Sequence, residues 1–426
     1  MQKSTIGILI TAIAVILFVT EMIPLAVTAM AAALAMGVTG CITLNDAISG
    51  FGGSTVHMVA GMMVIGDAVF ETGLAERLGS WIRNSSFAKT EHSFAVVVVT
   101  AATLLSAFFS NSATIAMFIP LVAVAAATSD GKIHAKNITL AAGMGAAVGG
   151  GATLVGSTAQ LVGQGVMIKM GVEPMGIFTL TKVMGPLTLI FLGWYALIGY
   201  KVQKRVVADM IEEIPPSQQI DHSETKTYQP WKQWTVIGVT IYCIAGFVQG
   251  FLNVGIVALI GATILIASGC MELKKTLRNL DWNTLILIGA AQGFALGLDK
   301  SGGGKVLSDA AIQMCGGPNA SPVVLLSVVV LLSAVLTNFM SNTAVAAMLV
   351  PIIIPMARDI GANPQTFSMG VVMAANIALS TPIGTAAVTQ TMVCGYRYMD
   401  CVKIGLPINI ILIIGVIIGL PLAYGM

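Results

Sequence analysis

The chain has 426 residues, 56% hydrophobic and 9% charged, with a mean hydropathy of +0.90. Soluble domains carry roughly 25% charged residues, so the composition excludes a soluble globular protein and indicates an all-α polytopic membrane protein. A net charge of +2 says little about partners, and no nucleic-acid partner is expected.

In chain order, mostly apolar runs long enough for a ~30 Å hydrocarbon core lie near 5–20, 22–44, 47–66, 93–128, 138–168, 183–200, 233–270, 282–298, 317–357, 360–396 and 404–426. No small-residue cleavage site followed by a polar segment appears after the first run, which reads as a retained helix rather than a signal peptide. Segment 71–91 is amphipathic, with Leu74, Leu78, Trp81 and Ile82 opposite Glu76, Arg77 and Arg83, and is expected along the membrane interface. Run 93–128 would be about 54 Å long as one straight helix, and 317–357 about 61 Å. Neither fits a bilayer as a single span, so each must bend, most simply as a re-entrant hairpin followed by a crossing helix. The extended polar segment Lys201 to Lys232, with Pro215-Pro216 in its middle, reads as a linker. Its basic residues Lys201, Lys204, Arg205, Lys226 and Lys232, together with Lys3 and Lys274, Lys275 and Arg278, predict a cytoplasmic N-terminus, linker and 271–281 loop. That parity predicts a leading transmembrane helix over 1–20, a first repeat over 21–205, a cytoplasmic linker over 206–230 and an inverted second repeat over 231–426. With five crossings per repeat, the total is about eleven.

The duplication is written in the residues. Ser110-Asn111-Ser112 returns as Ser341-Asn342-Thr343, and Leu105, Phe108, Ala113, Ala116, Met117 and Pro120 recur as Leu336, Phe339, Ala344, Ala347, Met348 and Pro351. Gly156-Ser157 meets Gly384-Thr385, and Thr72-Gly73-Leu74 meets Ser301-Gly302-Gly303 in the same order. An asparagine offers a carbonyl oxygen to a cation and an amide to an anion, and hydroxyls offer both functions. Blocks 93–128, 138–168, 317–357 and 360–396 contain no Lys, Arg, Asp, Glu or His. An anion entering so uncharged a core faces a desolvation cost of several kcal/mol unless cations accompany it; bound sodium would supply that charge.

Other motifs point to simpler roles. Asp67 and Glu71 read as capping or interfacial groups, His57 and Glu21 as packed or snorkelling. Gly149-Gly150-Gly151 lacks the Gly-Lys-Ser/Thr of a phosphate loop. The six cysteines at 41, 243, 270, 315, 394 and 401 form no CxxC and read as small packing residues. Without a hydrolytic triad, paired catalytic carboxylates or HExxH, no enzyme activity is expected, and a channel would need a continuous polar pore.

The segments TEMIPLAVTAM (20–30), ETGLAERLG (71–79), SNSATIAMFIP (110–120), GGGATLVGSTAQ (149–160), KSGG (300–303), SNTAVAAMLVP (341–351) and TPIGTAAV (381–388) resemble the motifs of the divalent anion/sodium symporter family of the ion transporter superfamily. The resemblance runs over nearly the whole chain. It implies a homodimer in a bacterial cytoplasmic membrane, carrying a small dianion with sodium by an elevator motion, most simply a C4-dicarboxylate such as succinate, malate or fumarate. A proton-coupled or exchange-driven carrier of another anion, such as a tricarboxylate or sulfate, is the alternative. It further implies scaffold parts over 22–66 and 233–270 and hairpin-bearing transport parts over 93–170 and 317–396. The first sodium site would comprise Ser106, Ser110, Asn111 and backbone near Gly156; the second, Thr337, Asn342 and backbone near Met340 and Gly384. Substrate would meet Asn111, Ser112, Ser157, Asn342, Thr343 and Thr385. Where the family usually has Pro-Pro-Asn after the second break, this chain has Thr158-Ala159-Gln160 and Ala386-Ala387-Val388.

Overall fold

The computed structural model describes residues 2–74, 77, 90–129, 131–210, 228–250, 252–314, 317 and 321–425, and among these the regular structure is entirely helical. Most of the expected interfacial helix 71–91 and of the 206–230 linker lies outside the described residues, as does Cys315.

The first half runs α1 (Lys3–Thr20), α2 (Leu25–Val38), α3 (Leu44–Ile48), α4 (Ser54–Glu71), α5 (Glu91–Ser106), α6 (Asn111–Ala127), α7 (Thr139–Gly150), α8 (Thr158–Lys169), α9 (Thr181–Trp194) and α10 (Tyr200–Val206). The second runs α11 (Pro230–Gln249), α12 (Val254–Ala267), α13 (Leu273–Asn279), α14 (Trp282–Lys300), α15 (Gly303–Met314), α16 (Pro322–Leu336), α17 (Asn342–Asp359), α18 (Pro364–Asn376), α19 (Ala386–Thr391) and α20 (Tyr398–Tyr424). The sequence sets the boundaries. Pro230, Pro322 and Pro364 open helices at positions whose N–H needs no helical partner. Ser110, Ser341 and Asp281 cap theirs with side-chain oxygens.

The halves interlock through equivalent contacts. Helix α2 packs on α14 and α4 on α12, while α6 packs on α19 and α17 on α8. Each pair is the same contact with the halves exchanged, the pattern of a pseudo-two-fold duplication. Small residues permit the approach: a Cβ on Gly61 would come within 2.5 Å of the Ala258 backbone, and one on Gly293 would collide with that of Ala47.

The first helix has a counterpart in the second half: α1 and α11 both end in a left-handed cap, Glu21 and Gly250, and both are followed by a 14-residue helix. One expectation is corrected: the N-terminus does not lie with Tyr228 and the 271–281 loop. Cys41 Sγ meets the Lys3 carbonyl at 3.8 Å, Gly7 lies against Ser301, and Lys300 Nζ is 3.1 Å from Asp46, so the N-terminus adjoins the end of α14. At the other end of α14, Lys275 pairs with Glu71 at 2.5 Å, Tyr228 lies over Gly73, and Gln233 donates to the Thr72 carbonyl at 3.1 Å. Lys3 is the only Lys or Arg before Arg77, so the N-terminal charge signal rests on one residue.

Candidate functional site

In the first half, α5 ends at Ser106 and a short turn delivers Ser110, extended at φ −61° and ψ 144°, as the cap of α6; its Oγ accepts the Ala113 N–H at 3.2 Å. The turn folds Asn111 back under the hairpin, where it is buried. The carboxamide oxygen of Asn111 lies 2.7 Å from Ser106 Oγ and 3.1 Å from the carbonyl oxygens of both Ala146 and Gly156. One hydroxyl and two carbonyl oxygens thus surround the carboxamide tip, and its N–H₂ group satisfies all three when turned toward them. The approach needs glycine: a Cβ on Gly156 would sit 2.5 Å from the Ser106 carbonyl, and one on Gly150 would collide with the Asn111 side chain. Gln160 Nε2, donating to the carbonyls of Gly150 (3.2 Å) and Gly151 (3.0 Å), holds the broken end of α7 in place.

The second half repeats the arrangement. Ser341 Oγ caps α17 by accepting the Ala344 N–H at 3.3 Å, and Thr337 Oγ1 lies 2.8 Å from the Asn342 carboxamide oxygen and 3.0 Å from the Ala375 carbonyl. Turned toward them, the Asn342 amide N–H₂ donates to the carbonyls of Ala375 at 2.9 Å and Gly384 at 2.5 Å. Asn342 also donates its backbone N–H to Gly384 at 3.1 Å and its Nδ2 to Thr385 Oγ1 at 3.2 Å. Ser106, Asn111, Ala146 and Gly156 correspond one for one to Thr337, Asn342, Ala375 and Gly384.

The two hairpin regions meet at hydroxyls: Thr158 Oγ1 of the first half is 2.8 Å from Thr343 Oγ1 of the second. Beside them lies a cavity of about 470 Å³ lined by Ser110, Ser112, Gly156 and Thr158, by Met62 and Asp67 of α4, and by Asn279 and Asp281. It therefore faces the end of the molecule that carries the 271–281 loop.

Of the residues expected to touch substrate, Ser112 lines this cavity; Asn342 and Thr385 bond each other, and Thr343 bonds Thr158. Ser157 is buried at the start of α8. Met340 sits in the hairpin turn with its N–H on Leu336; the carbonyls that meet the Asn342 carboxamide come from Ala375 and Gly384. Sequence reasoning did not single out the Ala146 and Ala375 carbonyls, which have no side-chain signature, or Thr158 as a site residue, although it marked Thr158 as a departure from the family pattern.

Two interlocked sets of membrane-type helices, each breaking at a polar tip in an uncharged core, define a membrane transporter. The chain belongs to the citrate transporter (CitMHS) family, whose pattern matches residues 15–366 and which lies within the ion transporter superfamily. It is 31% identical over 170 residues to the uncharacterized transporter YfbS of Escherichia coli, a match covering 40% of this chain and spanning 28% of that relative's length. It is 23% identical over 402 residues to the sodium-dependent dicarboxylate transporter SdcS of Staphylococcus saprophyticus, covering 86% of this chain and 76% of the relative. Its fold is similar to that of Neisseria gonorrhoeae MtrF, of a class of antimetabolite efflux pumps, with a TM-score of 0.59 at 18% identity over 88% of this chain and 83% of that one.

Proposed function

We propose that this transporter is a sodium-coupled carrier of a small dianion, most simply a C4-dicarboxylate, working by an elevator motion of the hairpin-bearing unit against the scaffold. The observation that carries the reading is the pair of equivalent clusters in which one hydroxyl and two backbone carbonyl oxygens surround the carboxamide of Asn111 and of Asn342. Neutral hydroxyl, carboxamide and carbonyl oxygens suit a hard monovalent cation, and two sodium ions would neutralise a dianion in a core without cationic side chains. Ser112, Thr158, Thr343 and Thr385 would supply hydroxyl donors to the carboxylates, and the amide-rich starts of α6 and α17 add partial positive charge. The likeness to a sodium-dependent dicarboxylate transporter supports this reading.

Uptake of labelled succinate, malate, fumarate, citrate and sulfate into proteoliposomes, with and without a sodium gradient, tests it. Succinate-class uptake that needs sodium, with a Hill coefficient above one, is expected; equal uptake in sodium and choline would overturn it. A proton-driven carrier is favoured by one observation, Asp67 in the cavity wall. Uptake driven by a pH gradient in choline would establish that reading instead.

A further inference from the structure

Glu21 caps α1 in the left-handed conformation, at φ 48° and ψ 28°, and is the only non-glycine residue with positive φ among the described residues. Such a conformation costs an L-residue roughly 1–2 kcal/mol, and persists where the surroundings fix it. Its counterpart at the end of α11 is Gly250, which adopts φ 66° without that cost. What Glu21 gains is a bond across the molecule: its Oε1 accepts the backbone N–H of Ser341 at 3.1 Å, at the tip of the second hairpin.

The two hairpins sit differently against their matching helices. The base of the second hairpin adjoins the start of α1, because Ser308 of α15 donates to Asp359 at 2.8 Å and Gly303 of α15 lies against Ile8. Its tip reaches Glu21, so it runs the full length of α1. In the first hairpin, the tip residue Phe109 instead shares an apolar cavity of about 160 Å³ with Ile237, Thr240 and Ile241. That is the middle of α11, more than two turns short of Gly250. Exchange of the two repeats' positions would bring the first hairpin tip toward Gly250, which has no side chain to hold it.

Resting on the sodium-carrier reading only for what is transported, we infer that Glu21 is a positioning residue: a latch that holds the second hairpin tip at the linker-side end of α1 and biases the carrier toward the linker-side-open state. The latch has no equivalent in the opposite state. Its bond joins a carboxylate to the N–H of the residue that caps α17, next to Asn342, so releasing it frees the tip on which the second oxygen cluster is built.

The test uses Met62→Cys, a scaffold position in the cavity wall, in a background without native cysteines. Its rate of thiol labelling from the linker side reports the open state. Glu21→Gly, which copies Gly250, should slow that labelling about tenfold, the weight of one hydrogen bond to a charged group. It should also change the KM and turnover of uptake in different proportion. Glu21→Gln, keeping an acceptor oxygen, should restore part of both. Wild-type labelling and kinetics in Glu21→Gly would overturn the latch. A Glu21→Cys/Ser341→Cys pair guards against a folding defect: once oxidised, it should stop transport while Met62→Cys stays labelled, and reductant should restore uptake. Full transport by the oxidised pair would also overturn it. If wild-type protein shows no sodium-dependent uptake yet Glu21→Gly still slows labelling, the latch stands and the transport reading falls.

Discussion

Each oxygen cluster turns on one carboxamide. Asn111 and Asn342 are buried, and three oxygens surround each tip within 3.1 Å, so truncation removes a ligand without opening an apolar cavity. Asn111→Ala and Asn342→Ala are expected to lose about ten- to hundredfold in apparent sodium affinity while eluting as wild type in size-exclusion chromatography. The sodium dependence of uptake measures this. Glycine fixes the same geometry from below. A Cβ on Gly384 would collide with the Thr337 carbonyl, and one on Gly156 would press on the Ser106 carbonyl. Either change to alanine should cost about 1–3 kcal/mol and abolish sodium-dependent uptake, whereas Gly238→Ala, with open space around it, should do neither; thermal unfolding and uptake on the three variants check this. The paired asparagines were legible because a repeated tripeptide leaves a mark in the sequence. The Ala146 and Ala375 carbonyls were not, since every residue has a carbonyl and only tertiary approach selects one.

At the scale of elements, the two hairpins were legible from length alone: neither 93–128 nor 317–357 can be one straight span. The helices that break within the membrane were marked by Gly-Ser and Gly-Thr steps in uncharged runs. What the sequence reading passed over was the equivalence of α1 with α11, which shows in their matched caps and in the helices after them. Ser112 at the tip of the first hairpin lines the cavity that faces the linker end. A Ser112→Cys variant is therefore expected to react with a thiol reagent from that end without ligand, and to be protected several-fold by sodium with substrate. Unchanged labelling under saturating ligand would argue for an open pore rather than a carrier.

At the scale of the whole molecule, orientation follows from combining the fold with the placement of charge. Lys3 and the end of α14 share one face, whereas Tyr228, Glu71 and Lys275 share the other, separated by the 19 residues of α14, about 28 Å at 1.5 Å per residue. The second face carries Lys232 and Lys275, which line one pocket with Glu71, and the adjoining Lys274 and Arg278 of α13. Short basic loops stay on the cytoplasmic side, so the basic 271–281 loop marks the linker face as the expected cytoplasmic one. On that expectation the N-terminus lies across the membrane from the linker face, and the cavity opens toward the cytoplasmic side. In intact cells, a membrane-impermeant thiol reagent should label Ser4→Cys directly, and Lys274→Cys only after permeabilisation. Labelling of both positions from the same side would require an even number of crossings before the linker, because no five-crossing half can leave its two ends on one face.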